Sequence, residues 1–483
     1  MRAIVMGAAA LALAACASAG EPALDWPALT VGDVEAAYAL LAEDHPGMAE
    51  EAGDAALRER MREGRALALE RAAQVTSLEG YAATLAGLAN AAGDRHIWSR
   101  PLQASDTVQW AGIVLSLRGG DYIVFDHAAL DGEAELAGAR LVSCDGVAAE
   151  RFARDKLGGF SAVWEIAAQR TQRAPVLLAD GGNPFVLKPD ACVFDQGGAR
   201  FEHVLRWRDI GRAELSARVT PAMNVGAAGH GLREAGGGYW IALQSLGQEA
   251  PGVVRAVEEN GAQLRAAPFV VLDMRGNGGG NSSYGDQIAA ALFGQARLEA
   301  VQQAQGGEGC TSVWRVSERN LAQMRAYRER FAESAPDFVG FIERQLEAAE
   351  QAQAEGRAFT GPATCAAPAA PAEAADLPAS AAAGRIILLT DNACFSSCLM
   401  VADRFRRLGA LHLGQTTNAN THYMEVREET LPSGLSVFST LQALAPAMPA
   451  QLGPFAPEIA FDGDMADDAA VEAWVLEIAR EHR

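Results

Sequence analysis

The chain has 483 residues, more than one hydrophobic core usually holds, so we predict two or three domains. Apolar residues make up 49% of the sequence, which is typical of a globular protein. The formal net charge of -21 excludes nucleic acid as the main partner, because binding nucleic acid needs a basic surface.

Residues 1–20 have the pattern of a signal peptide with a lipobox. The uncharged apolar run 3–15 is shorter than the roughly 20 residues of a membrane-spanning helix. It ends in Leu-Ala-Ala-Cys16, which resembles a bacterial lipobox, in which the cysteine is lipidated. The alternative is an ordinary signal peptide that is cut after Ala19. We predict a lipid anchor at Cys16 and a place in the bacterial cell envelope, facing the periplasm or the outside.

Export would place the remaining six cysteines in an oxidising compartment, where they can form up to three disulfides. Two candidate pairs are Cys310–Cys365, which would join the ends of an inserted segment, and Cys394–Cys398. No cluster of Cys and His has the spacing of metal ligands, so neither a metal nor another cofactor is predicted.

Three patterns follow the signal segment. Helical spacing predicts a helical N-terminal domain over 25–100, and short strands with turn residues predict a β-rich module over 107–215. Alternating strands and helices predict an α/β domain over 225–483, with an insertion at about 300–383 that is either a lid or a surface elaboration. Gly138-Ala-Arg-Leu-Val-Ser-Cys-Asp-Gly-Val resembles part of a PDZ-like domain, and a plain β-rich linker domain is the alternative.

A glycine cluster follows the predicted buried strand that ends at Asp273, in the order Met-Arg-Gly-Asn-Gly-Gly-Gly280. Glycines allow tight turns and leave backbone N–H groups uncovered, so such a loop can hold an oxyanion or a phosphate. A purely structural turn is the alternative. The spacing matches neither a P-loop nor a dinucleotide-binding fingerprint.

A second strand, which ends at Thr390, runs into Asp-Asn-Ala-Cys-Phe-Ser396-Ser397-Cys and then a helix. A serine in such a turn is exposed beside helix N-terminal N–H groups, as a nucleophile requires. The alternative for Ser396 is a simple helix cap, which is common for serine.

Together these segments resemble the tail-specific, or C-terminal-processing, serine protease family. Asp273-Met-Arg-Gly-Asn-Gly-Gly is similar to its Asp-Leu-Arg-x-Asn-x-Gly-Gly segment, and Ser396 falls on the catalytic serine. Leu431-Pro-Ser-Gly and Ala456-Pro-Glu-Ile match further motifs in the same order, over about 240–483. The resemblance implies a multidomain α/β fold, with a Clp/crotonase-like α/β protease core preceded by the helical domain and the PDZ-like module.

The general base departs from the family pattern. The processing proteases use a lysine, whose place here is taken by Asn420, and no lysine occurs in 391–448. Ala92-Gly-Asp-Arg-His96 resembles a motif of the tricorn-core and retinoid-binding-protein-like branch, in which a histidine is the base. We therefore predict that His96, 300 residues before Ser396, takes the hydroxyl proton.

A third residue would orient the imidazole of the predicted base. We predict Glu425, because strand alternation places it on one face with Arg427; Glu428 and Glu458 are the other candidates. For the oxyanion hole we predict the N–H groups of Gly279 and Ser397, with Gly278 as the alternative to Gly279.

These features predict an exported serine peptidase that hydrolyses peptides or proteins through an acyl-enzyme. One alternative is a protein on the same scaffold that binds peptides or small ligands without catalysis, since the family lysine is lost. The other is a serine esterase or amidase, because the acyl-transfer chemistry is shared.

Overall fold

The computed structural model describes residues 24–306, 311–333, 336–365 and 377–481. The predicted lipid anchor at Cys16 lies outside these ranges, and so does the predicted Cys310–Cys365 pair, because Cys310 does. Among the described residues, every helix is too short or too polar to cross a bilayer.

Three helices form the N-terminal part: α1 (Trp26–Asp44), α2 (Ala55–Ala72) and α3 (Leu78–Asn90). Each begins at a polar residue whose side chain accepts a backbone N–H of the first turn, as a helix start requires: Asp25, Asp54 and Ser77. Their apolar faces share a core with Phe438 and Leu441 from the far end of the chain.

The middle part is rich in strands. Its elements are β1 (Ser99–Pro101), β2 (Thr107–Trp110), β3 (Ile113–Arg118), β4 (Asp121–His127), β5 (Arg140–Cys144), β6 (Val147–Ala148), α4 (Ala149–Ala153), α5 (Ala167–Arg173), β7 (Ala179–Asp180), β8 (Ala191–Gln196), β9 (Ala199–Val204), β10 (Arg208–Gly211) and α6 (Arg212–Val219). The main sheet has the order β3-β4-β5-β8-β9, and β6 pairs with β5. A disulfide between Cys144 and Cys192 joins β5 to β8.

The remaining elements build the C-terminal part. They are β11 (His230–Ala235), β12 (Gly238–Leu243), α7 (Ala250–Glu259), α8 (Gly261–Ala266), β13 (Phe269–Asp273), α9 (Ser283–Phe293), α10 (Gln295–Gly306), β14 (Val313–Trp314), α11 (Glu318–Phe331), α12 (Pro336–Ala354), β15 (Arg385–Thr390), α13 (Ser397–Leu408), β16 (Leu411–Gly414), β17 (Asn420–Thr421), β18 (Tyr423–Thr430), β19 (Ser436–Leu444), β20 (Gln451–Leu452), β21 (Ile459–Ala460) and α14 (Asp468–Glu481).

A six-stranded sheet with the order β11-β12-β13-β15-β16-β21 is the centre of this part. Its strands are parallel from β12 to β21, and β11 is an antiparallel edge. Helices cover both faces, so β13 and β15 are buried almost throughout and consist mainly of Ile, Leu and Val. Because β13 and β15 are adjacent and parallel, the glycine loop and the serine turn emerge at the same edge.

Part of the segment that we predicted as an insertion pairs with a second sheet. Its strand β14 pairs with β19, which also pairs with β1 and β18. Helix α11 contacts the end of α1, where Asn320 Nδ2 donates to the Asp44 carbonyl at 3.1 Å and Arg319 Nε donates to the Asp44 carboxylate at 2.7 Å. The described residues of this segment therefore link the N-terminal helices to the second sheet.

The same sheet holds the loop that follows α3. Ser439 Oγ on β19 donates to the His96 carbonyl at 2.8 Å and accepts the Trp98 N–H at 2.8 Å. Residues far apart in sequence are thus placed beside the edge of the central sheet.

Candidate active site

Ser396 lies in a strained turn between β15 and α13. Its backbone has φ 57° and ψ -130°, a conformation that costs energy for a residue with a side chain. Such a turn presents a side chain at the end of a strand, ahead of the helix that begins at Ser397. A disulfide between Cys394 and Cys398, one of the two predicted pairs, spans the turn.

His96 meets the serine across the sheet edge. His96 Nε2 lies 2.9 Å from Ser396 Oγ, a hydrogen-bond distance. The imidazole also stacks on the Phe395 ring, with 4.5 Å between ring centres. The structure therefore brings together the two residues that the sequence analysis predicted as nucleophile and base.

The third position is a correction to our prediction of Glu425. His96 Nδ1 lies 2.7 Å from Asp94 Oδ1, and the backbone N–H of His96 donates to the same oxygen at 2.9 Å. Since a carboxylate only accepts, Nδ1 carries the proton, and the Nε2 lone pair faces Ser396. The side chain of Glu425 is exposed on β18, whereas Arg427 is buried against Asp44.

The backbone of Glu425 explains why the prediction from strand alternation is wrong. Its φ of 63° breaks the regular pleat, and the pairing of β18 with β19 passes over it. Alternation assumes an uninterrupted extended strand, so it assigns the wrong face here. The runner-up Glu458 faces β16 instead, where its Oε1 accepts the His412 N–H at 3.2 Å.

Asp94 is buried, and both of its carboxylate oxygens accept hydrogen bonds. Its Oδ2 accepts the Thr421 N–H at 3.1 Å and also the Thr421 hydroxyl. Burial alone would raise the pKa of Asp94, but the charge and hydrogen bonds of His96, with the Thr421 hydroxyl, hold the pKa well below its ordinary value. Asp94 is therefore a carboxylate at neutral pH, as a partner of an imidazolium must be.

The position aligned with the family lysine lies next to this carboxylate. Asn420 is buried on β17, directly before Thr421. In the family, strand β17 would carry the catalytic lysine. Here the next residue on that strand, Thr421, hydrogen-bonds to Asp94 instead. Asp94 stands two residues before His96 in Ala-Gly-Asp-Arg-His, so the motif that pointed to the histidine also contained the missed residue.

The glycine loop approaches the nucleophile closely. Gly279 has φ 106°, and a Cβ atom added there would lie 2.8 Å from Ser396 Cβ and 3.0 Å from the Ser397 nitrogen. Only glycine fits this contact. The Ser397 N–H, at the first position of α13, donates no hydrogen bond within the described ranges, so it can receive an oxyanion.

The prediction of Gly279 as second oxyanion donor needs correction. Its N–H donates to Asn277 Oδ1 at 2.8 Å, so it is already occupied. The cause is a local turn in which the asparagine side chain caps the backbone two residues on. The role of Gly279 is therefore steric: because it has no side chain, the glycine loop can lie close to Ser396.

Asp391 connects the two loops. Its Oδ2 accepts the N–H groups of Gly276 at 2.9 Å and Gly226 at 2.8 Å, while Oδ1 accepts the Ala393 N–H at 2.9 Å. Complete burial raises the pKa of Asp391 to about 6, although these three N–H groups oppose the rise. The carboxylate thereby ties the glycine loop to the serine turn.

A cavity of about 950 Å³ lies beside Gly93 and Thr421, which flank Asp94 in sequence and in space. Its wall includes Thr421 and Asn420 but neither Ser396 nor His96. Helices α2 and α3 form much of the remaining wall.

A serine hydroxyl, an imidazole and a carboxylate in line, with a free N–H beside the serine, are the parts needed for acyl transfer. On an α/β core of this kind they define a serine-type peptidase. Residues 238–446, which hold the glycine loop and Ser396, match the family model described as "Peptidase family S41", and the chain carries a domain of this family. The predicted resemblance to the C-terminal-processing proteases is thereby confirmed.

Solved structures agree on the fold. Mature CPAF is 11% identical, with a TM-score of 0.60 over 94% of this chain and 98% of that chain. Mature CPAF complexed with lactacystin is also 11% identical, with a TM-score of 0.58 over 94% and 99%. At this identity the likeness concerns the fold, and it confirms the predicted multidomain α/β architecture. No curated protein matches the sequence significantly.

Proposed function

We propose that this peptidase cleaves peptide bonds with a Ser396–His96–Asp94 triad and without the family lysine. The observation that carries the proposal is the unbroken series of hydrogen bonds from Asp94 Oδ1 through both ring nitrogens of His96 to Ser396 Oγ, at 2.7 and 2.9 Å. These distances support the proposal, because proton transfer needs the base within hydrogen-bond reach of the hydroxyl.

The reaction would proceed in two stages. Ser396 Oγ attacks the peptide carbonyl while His96 Nε2 takes its proton, and Asp94 stabilises the imidazolium that forms. The Ser397 N–H stabilises the negative oxygen of the tetrahedral intermediate. His96 then protonates the leaving amine, and a water activated by the same imidazole releases the acyl group from Ser396.

Covalent labelling with a fluorophosphonate tests the nucleophile and base. We expect the purified chain to be labelled, and Ser396→Ala and His96→Ala to lose labelling. His230→Ala changes a histidine outside the site, so it should label like the parent. Labelling of Ser396→Ala would refute the assignment.

A peptide panel beside matched ester substrates would then test the reaction. Release of new peptide termini that depends on Ser396 supports the peptidase. Turnover of esters alone would instead support the esterase or amidase alternative.

We also propose that the chain is exported and anchored by a lipid on Cys16. The support is the sequence: an apolar segment followed by the lipobox-like Leu-Ala-Ala-Cys16. Metabolic labelling with a radioactive fatty acid in a bacterial host should mark the parent and not Cys16→Ala, while Ser18→Ala stays marked. Equal labelling of parent and Cys16→Ala would contradict the anchor.

A further inference from the structure

Two histidines and a glutamate converge in the middle module, outside the triad. His127 ends β4, Glu133 lies in the following loop, and His203 lies on β9. One side-chain nitrogen or oxygen from each lies within 4.8 Å of the others. We infer that these three side chains form a binding site for one divalent transition-metal ion of the zinc class.

The donor set selects the class of metal. Imidazole nitrogen and carboxylate oxygen together suit zinc and its neighbours, whereas calcium and magnesium prefer oxygen ligands alone. Ligand atoms about 2.0–2.2 Å from a tetrahedral ion lie roughly 3.4 Å apart. The distance between His127 Nε2 and Glu133 Oε2 is 3.9 Å, and the three ligand atoms lie within 4.8 Å of one another, so the side chains must draw closer by up to about 1.4 Å to hold the ion.

A neighbouring carboxylate prepares His127 for this role. Glu135 Oε1 lies 3.4 Å from His127 Nδ1. A proton on Nδ1 that points to this oxygen leaves the Nε2 lone pair free for a metal, the arrangement usual for metal-bound histidines. In the structure, His127 Nδ1 accepts the Leu136 N–H at 3.2 Å, and the same N–H donates to Glu135 Oε1 at 2.9 Å. Metal binding at Nε2 therefore requires the imidazole proton to move to Nδ1, while the Leu136 N–H keeps Glu135 Oε1 as its acceptor.

Glu133 is held in place as well. Its Oε2 accepts the Leu130 N–H at 2.7 Å, which fixes the oxygen that faces His127. Arg206 forms an ion pair with the other carboxylate oxygen, with 3.4 Å between Arg206 Nε and Glu133 Oε1. The Arg206 side chain is 61% exposed, so it can move away without leaving a buried charge.

The site is partly enclosed: the side chains of His127 and Glu133 are 1% and 9% exposed, and His203 is half-buried. The three protein ligands leave one tetrahedral position for water. The residues lie up to 76 positions apart in sequence, which is why the sequence pattern predicted no metal site.

Zinc titration of the purified chain tests the inference. The protein carries no polyhistidine tag, is first treated with a chelator, and is titrated with zinc chloride in a calorimeter. We expect one strong equivalent per chain and a higher thermal midpoint with zinc. His203→Ala and Glu133→Gln should weaken binding at least tenfold, while His230→Ala, away from the cluster, should bind like the parent.

A further variant guards against a folding defect. Arg206→Gln removes the competing cation and leaves every ligand, so it should bind zinc at least as tightly as the parent. Fluorophosphonate labelling should be the same in His203→Ala as in the parent, which shows that the variant is folded. No zinc binding by the parent, or equal binding by the parent and His203→Ala, would overturn the inference.

Discussion

His96 Nε2 and Ser396 Oγ lie 2.9 Å apart although 300 residues separate them in the chain. The two residues reach this distance from different sheets. Ser396 follows β15 of the central parallel sheet, and His96 is held on β19 of the second sheet through Ser439. Any change that shifts one sheet against the other should therefore affect the reaction before it affects the fold.

Replacing Asp94 should disable the base and leave the nucleophile in place. The amide in Asp94→Asn is uncharged, so it cannot stabilise an imidazolium as a carboxylate does, and its NH2 group can hold the imidazole in the wrong tautomer. The rate of fluorophosphonate labelling should therefore fall on the order of 10²–10⁴-fold. Glu425→Gln is the matched control, since Glu425 is exposed and the side-chain partners of His96 are Asp94 and Ser396, and its rate should stay near that of the parent. The reverse ranking would restore Glu425 as the third residue.

Gly279→Ala should slow labelling through a steric clash. The new Cβ would lie 2.8 Å from Ser396 Cβ, at a φ of 106° that alanine rarely adopts, so the serine turn must move. We expect at least a tenfold loss of labelling rate and a stability loss of about 1–3 kcal/mol. Gly278→Ala has no atom within 4 Å of its added Cβ and should resemble the parent. Full activity of Gly279→Ala would contradict the contact.

The two disulfides should differ in what they control. In a chain-entropy view, Cys394–Cys398, with a sequence separation of 4, stabilises the fold by about 2 kcal/mol, whereas Cys144–Cys192, with a separation of 48, stabilises it by about 4 kcal/mol. The short disulfide spans the strained Ser396. Its double alanine variant should therefore lose labelling rate, while the other double variant should lose mainly thermal stability. Equal labelling rates in both would refute this division.

Asp391 should make stability depend on pH in a definite direction. Its pKa in the folded protein is about 6, above the ordinary value of 3.8, so between these pH values the folded state holds a proton that the unfolded chain has released. Stability is therefore lost as the pH rises from about 4 to 6, on the order of 3 kcal/mol. Unfolding of the parent and Asp391→Asn at pH 4 and pH 7 measures this, because other groups cancel in the difference. Parallel pH curves would contradict it.

Much of the site could be predicted because its parts are local. The glycine loop and the Ser396 turn each follow a buried strand directly, so a segment of about ten residues is enough to predict the role of each. His96 could be proposed from a short motif and from the missing lysine. The Cys394–Cys398 pair was a candidate because its members flank one turn.

Other features could not be predicted from the sequence pattern. The strand pattern gave no sign that φ of Glu425 would be 63°, and this one angle invalidates the face assigned by alternation. The Gly279 N–H was predicted to be free, but the Asn277 side chain uses it. Both corrections come from interactions that cost or gain a few kcal/mol and leave no periodic signal.

The sequence by itself determined the class of chemistry: a serine after a buried strand, a glycine loop beside it, and a distant histidine that can act as the base in place of the lost lysine. Only the tertiary structure decided which carboxylate completes the triad, because Asp94 is selected by Thr421, a residue 327 positions away. It also decided which side chains gather around His127. Hydrogen bonds and burial act over a few ångströms in space, and distance along the chain does not report them.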